Sequence, residues 1–76
     1  MKPEPGELYR YDSTRLSDRI GVWDGSGCGI ELGTVLKGDV VLIIETEGYR
    51  VKVLTPRAEV GWMSTAFFQE GHLELC

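Results

Sequence analysis

The sequence is short of cationic charge, short of cysteine, and has no apolar run long enough to cross a membrane as a helix. Eight Lys and Arg stand against twelve Asp and Glu, a formal net charge of −4. Affinity for nucleic acid rests largely on Lys and Arg contacts to phosphate. The acidic balance therefore argues against DNA or RNA as the main partner, and against an anionic membrane surface. A basic protein partner fits it better. The two cysteines, Cys28 and Cys76, are too sparse for the disulfide framework of a small secreted domain. Residues 1–6 (MKPEPG) lack the apolar core of a secretory leader. The expectation is a cytoplasmic protein with two free thiols, a Cys28–Cys76 bridge being the alternative. The longest apolar run is five residues, 40–44 (VVLII), where a membrane helix needs about 20.

Sites for chemistry are scarce as well. His72 is the only histidine, and a nucleophile needs a positioned base and an orienting group. Two cysteines and one histidine do not supply the ligand spacing of a structural zinc site. The glycine-rich stretch Gly25-Ser26-Gly27-Cys28-Gly29 lacks the Lys-Ser/Thr and the following helix of a phosphate loop. Asp12, Asp18, Asp24 and Glu31 lie six to seven residues apart, not in the tight alternation of a calcium loop. No enzyme activity, metal or cofactor is expected.

What is present is a pattern of short strands and turns. Seventy-six residues make one domain, and a chain this short buries only about 60% of its unfolded surface. The ten glycines suit tight turns. Residues 1–6, with two prolines and a glycine, read as a flexible arm, and residues 7–76 as the domain. Residues 7–12 (ELYRYD) alternate as a first strand, and 19–24 (RIGVWD) offer a second. Residues 40–44, bounded by turn signals, read as a strand covered on both faces, with 45–48 as a loop. Residues 49–54 alternate as a half-buried strand, 55–59 (TPRAE) form a hairpin connection, and 60–63 return. One helical turn near Ser64-Thr65-Ala66 leads to a last strand near Gly71. The inward phase of these strands is Val35, Val41, Ile43, Val51, Val53, Met63 and Phe68.

Three segments together resemble the SH3 family, eukaryotic or bacterial. Glu7-Leu8-Tyr9-Arg10-Tyr11 is similar to the opening Ala-Leu-Tyr-Asp-Tyr. Lys37-Gly38-Asp39 is similar to the Lys-Gly-Asp/Glu turn before the next strand. Residues 61–68 (GWMSTAFF) are similar to the Gly-aromatic-aliphatic-Pro-x-x-Tyr-Val segment. The likeness covers about residues 7–12 and 33–75. It implies an all-β fold, a small SH3-like barrel of five to six short antiparallel strands. Family members hold proline-rich peptides in an aromatic groove. By position, Tyr9, Tyr11 and Phe67 would line it, Ser64 stands in place of the groove proline, and the groove tryptophan falls at Gly48. The segment between Tyr11 and Lys37 is longer than the family's usual loop and carries its own Trp23.

These residues give an expected function, a non-catalytic interaction module that is not an ordinary PxxP binder. The candidate contacts with a protein or peptide partner are Tyr9, Tyr11, Asp18, Trp23, Asp24, Glu31 and Phe67. Trp23 reads as a binding anchor, the side-chain type enriched in interface hot spots, or else as a plug over the open end of the core. The Tyr9, Tyr11 and Phe67 face reads as a groove, or else as the domain's own outer layer or a homodimer contact. The acidic residues of the 12–33 segment read as a rim that attracts Arg or Lys, or else as ordinary solubility. The alternatives for the whole chain are a bacterial-type module for cell-wall peptide and a homo-oligomeric barrel with an enzyme site at its interface.

Overall fold

In a computed structural model, residues 3–12, 17–25 and 29–76 are described. Cys28, the centre of the glycine-rich stretch and most of the polar 13–18 turn fall outside them. The elements are β1 (Leu8–Tyr11), β2 (Arg19–Trp23), β3 (Glu31–Leu36), β4 (Val40–Glu47), β5 (Arg50–Leu54), β6 (Val60–Ser64), a four-residue helix α1 (Ala66–Gln69) and β7 (Leu73–Leu75). The strands form one antiparallel sheet in the order β3-β2-β6-β5-β4-β1-β7. The protein is all-β apart from α1, with seven strands where the sequence suggests five or six. No helix among the described residues is long and apolar enough to cross a membrane.

Each strand sends alternate side chains inward, as the two-residue period requires. Tyr9 and Tyr11, Ile20 and Val22, Val35, Val41 and Ile43, Val51 and Val53, Met63 and Leu73 meet in a single cluster with Phe68 of α1. Because all seven strands contribute to one cluster, the sheet is curled around it. The seven residues assigned inward from the sequence are all buried.

Three local features depart from the sequence reading. Residues 40–44 are not covered on both faces: Val41 and Ile43 point in, while Val40 and Ile44 are exposed. A bulge at Ile44, between the pairs Ile43–Val53 and Glu45–Lys52, shifts the phase of the strand. Residues 45–47 continue β4 instead of looping, and the β4–β5 connection shrinks to Gly48-Tyr49. Gly48 has φ 59° and Tyr49 has no positive φ, which is the II′ geometry that suits a two-residue hairpin. Residues 3–6 are not a free arm. Pro3 is fully buried, the Gly6 amide donates to Ile43 O at 2.8 Å, and the Glu4 amide donates to Glu7 Oε1 at 2.7 Å.

The β5–β6 connection is a tight turn closed by the Ala58 amide donating to Thr55 O at 3.0 Å. Pro56 sits second, where its fixed φ suits the turn. Ala58 follows with φ 65°, a left-handed conformation that costs an L residue roughly 1–2 kcal/mol. Replacing Ala58 with Gly removes that cost and returns part of it as chain entropy. A net gain of about 0.5–1 kcal/mol in a urea melt is expected, and a loss of stability would contradict the turn geometry. In the core, Ile43→Ala or Val53→Ala removes a side chain that is at most 1% exposed. Each is expected to cost about 2–4 kcal/mol by the large-to-small rule, read as a lower urea midpoint with unchanged slope.

Candidate functional site

The period that builds the core also decides what faces out. Val22 and Met63 point inward, so their neighbours Trp23 and Trp62 point outward. Trp23 and Trp62 lie directly opposite each other where β2 meets β6. Gly61 allows that meeting: a Cβ there would lie 3.0 Å from Trp23 O and 3.1 Å from the Val22 side chain. Trp23 is 42% exposed. It does not plug the core.

Two clefts open on either side of Trp23. One, of about 400 Å³, is lined by Trp23, Asp24, Tyr49, Arg50, Trp62 and Met63, among others. The second, of about 420 Å³, is lined by Ile20, Gly21, Trp23, Met63, Ser64 and Phe67, with Ser17 and Arg19 at its edge. They share Trp23, Met63 and Ser64, so they adjoin and form one groove with Trp23 at the junction. Its walls come from the β2–β3 hairpin, the β4–β5 turn and the α1 end of β6. Tyr49, at the turn, is 89% exposed, and its carbonyl accepts the Thr65 amide at 2.9 Å, which fixes the backbone beneath the ring.

Arg50 holds the first cleft in shape. Its guanidinium lies over the Trp62 ring, 4.2 Å from the centroid. Its Nη1 donates to Gly25 O at 2.7 Å, and its Nη2 pairs with Glu47 Oε1 at 2.6 Å. Lys52 approaches the same ring, its Nζ 5.7 Å from the centroid. One end of the β2–β3 hairpin is thereby tied to β5. Gly25, at φ 80°, lies against the edge of Trp62, where a Cβ would come within 2.5 Å of Cδ1 and 2.9 Å of Arg50 Nη1.

The residues singled out from the sequence divide into two groups. Trp23, Asp24 and Phe67 line the groove. Glu31 and Asp18 are exposed beside it, and Glu31 is partnered by Arg19 at 3.3 Å. Tyr9 and Tyr11 do not belong to the site. They occupy the inward phase of β1, which runs between β4 and β7, and are 5% and 0% exposed. Tyr9 packs edge-on against Phe68 at 5.1 Å, and the Tyr11 hydroxyl donates to Ser17 O. Burial first, and then the Glu7 and Glu4 carboxylates for Tyr9 and Asp18 for Tyr11, hold both phenols above their ordinary pKa. Tyr49, Arg50 and Trp62 were missed. The signal for Trp62 was its outward phase between Gly61 and Met63. Tyr49 and Arg50 depended on the length of the β4–β5 turn.

Comparison with protein-family models, with curated proteins and with solved structures finds no match to this chain. The geometry alone carries the functional argument.

Gly25→Ala tests that geometry. The positive φ and the contact with Trp62 both oppose a Cβ, and a loss of about 1–3 kcal/mol is expected. The emission of Trp62 should shift toward that of a solvated indole even at temperatures where the protein stays folded. Unchanged emission and stability would mean that the hairpin tip does not rest on Trp62.

Proposed function

We propose that this chain is a non-catalytic protein-interaction module of SH3-like architecture that binds an extended segment of a protein partner across the groove with Trp23 at its junction. The observation that carries the reading is the pair of adjoining clefts sharing one exposed indole. An aromatic anchor among polar neighbours is the usual anatomy of an interface hot spot. The loss of a groove tryptophan at Gly48 is made up by Trp62 from β6 and by Tyr49, the next residue along. A binding role without catalysis agrees with the surroundings of the single histidine. His72 is 4% exposed, its Nε2 faces Glu70 at 3.2 Å, and it lines neither cleft.

The test uses the fact that the chain has two tryptophans and that both line the groove. Peptides selected from a random display library against the folded protein should change indole emission saturably. Trp23→Ala should weaken their binding by about 2 kcal/mol or more while the melting temperature moves by less than about 4 °C. Trp23→Ala proteins that bind the selected peptides as well as the parent would sink the reading. So would a loss of folding stability large enough to account for the lost binding.

A further inference from the structure

The face of Trp62 is a natural seat for a cation, because the ring's quadrupole attracts a guanidinium or ammonium group. In this chain the seat is taken. Arg50 lies over the ring at 4.2 Å, anchored on one side by Gly25 O at 2.7 Å and on the other by Glu47 at 2.6 Å. Lys52 adds a second positive charge 5.7 Å from the same ring. Two carboxylates beside the site are engaged by internal partners, Glu47 by Arg50 and Glu31 by Arg19. We propose that Arg50 is a specificity-determining residue of the groove: it fills in cis the place a partner's Arg or Lys would take, and so sets the first cleft for uncharged side chains. What remains open to a partner in that cleft is the Trp23 indole and the Tyr49 ring, with Asp24 also in the lining, an aromatic surface suited to a ring or a branched aliphatic group. The inference rests on the groove being a binding site. It differs from the acidic-rim expectation in the sign of its selectivity, and a device that repels the wrong partner is a normal component of specificity.

The experiment pairs two small probes, N-acetyl-arginine amide and its uncharged isostere N-acetyl-citrulline amide, titrated against indole emission. The parent protein is expected to discriminate between them less than about threefold. Arg50→Ala removes the closer of the two cations over Trp62, leaving Lys52 at 5.7 Å, and deprives Glu47 of its Arg50 partner. It is expected to bind the arginine probe at least tenfold tighter than the citrulline probe. Arg50→Lys, which keeps a cation next to the ring, should stay near the parent ratio. Arg50→Met preserves the packing of the stem over Trp62 and serves if the alanine variant is unfolded by circular dichroism; it should show the same tenfold preference. A parent protein that already prefers the arginine probe tenfold would overturn the proposal, as would folded Arg50→Ala or Arg50→Met proteins with no gain in preference. The outcome is separable from that of the peptide selection. The change in probe ratio on substitution reports the Arg50 seat over Trp62, whereas the selected peptides depend on Trp23.

Discussion

The contact on which the site depends is the Arg50 guanidinium, which stacks on Trp62, donates to Gly25 O and pairs with Glu47. The β2–β3 hairpin reaches the rest of the sheet at one register position, Trp23 opposite Trp62. A single pair of residues does not define the angle of a hairpin. Arg50 supplies a second fixed point beyond the end of β2, and a planar fork of donors on an aromatic face gives direction as well as attraction. An exposed ion pair such as Arg50–Glu47 contributes little on its own. Its value here is to hold the fork in the plane that reaches Gly25.

The far end of the same hairpin has its own fastening. Glu59, half-buried at the start of β6, lies across Gly33, where a Cβ would come within 2.5 Å of its carboxylate. It accepts the Thr34 amide at 3.2 Å and the Thr55 hydroxyl at 3.1 Å. Arg57 donates to Thr34 O and to Asp39 Oδ2, the latter at 2.9 Å, and Asp39 in turn accepts the Leu36 amide at 2.8 Å. Backbone groups on the outer edge of β3 therefore meet side chains of the β5–β6 turn in place of another strand. This answers the need of every half-buried amide and carbonyl for a partner, and it blunts an edge that would otherwise invite pairing with another chain. With both ends held, the hairpin serves as a rigid wall for the groove.

The sequence made the core legible and the site only partly so, and the reason is the range of the signals. Val51, Val53 and Met63 declare their direction by the alternation of their immediate neighbours, and turns such as Lys37-Gly38-Asp39 declare themselves by composition. The same alternation placed Tyr9 and Tyr11 on one face of β1 without saying which face was the core. That depends on β1 lying between β4 and β7, a long-range fact. The likeness to a family groove pointed the other way for both tyrosines. Trp62 was readable as outward-facing but had no visible partner, because its neighbours Gly25 and Arg50 are brought to it by strand pairing. Bulges are similarly silent: nothing local marks Ile44 as the residue at which β4 changes phase.

Core and groove are built from adjacent residues of the same strands. Val22 and Met63 face in; Trp23 and Trp62 face out. In a domain this small the core has few side chains to spare, and a site that recruited them would trade stability for binding directly. Placing the aromatic anchors on the opposite phase avoids that conflict. The cost is local geometry: Gly61, where β6 must approach β2, Gly25, where the hairpin must lie on Trp62, and Gly21, where Glu31 and the Trp23 ring close in. In the proposed binding role, the guanidinium that fixes the hairpin is also the group that a competing cation would have to displace, so one side chain would couple the rigidity of the wall to the choice of ligand.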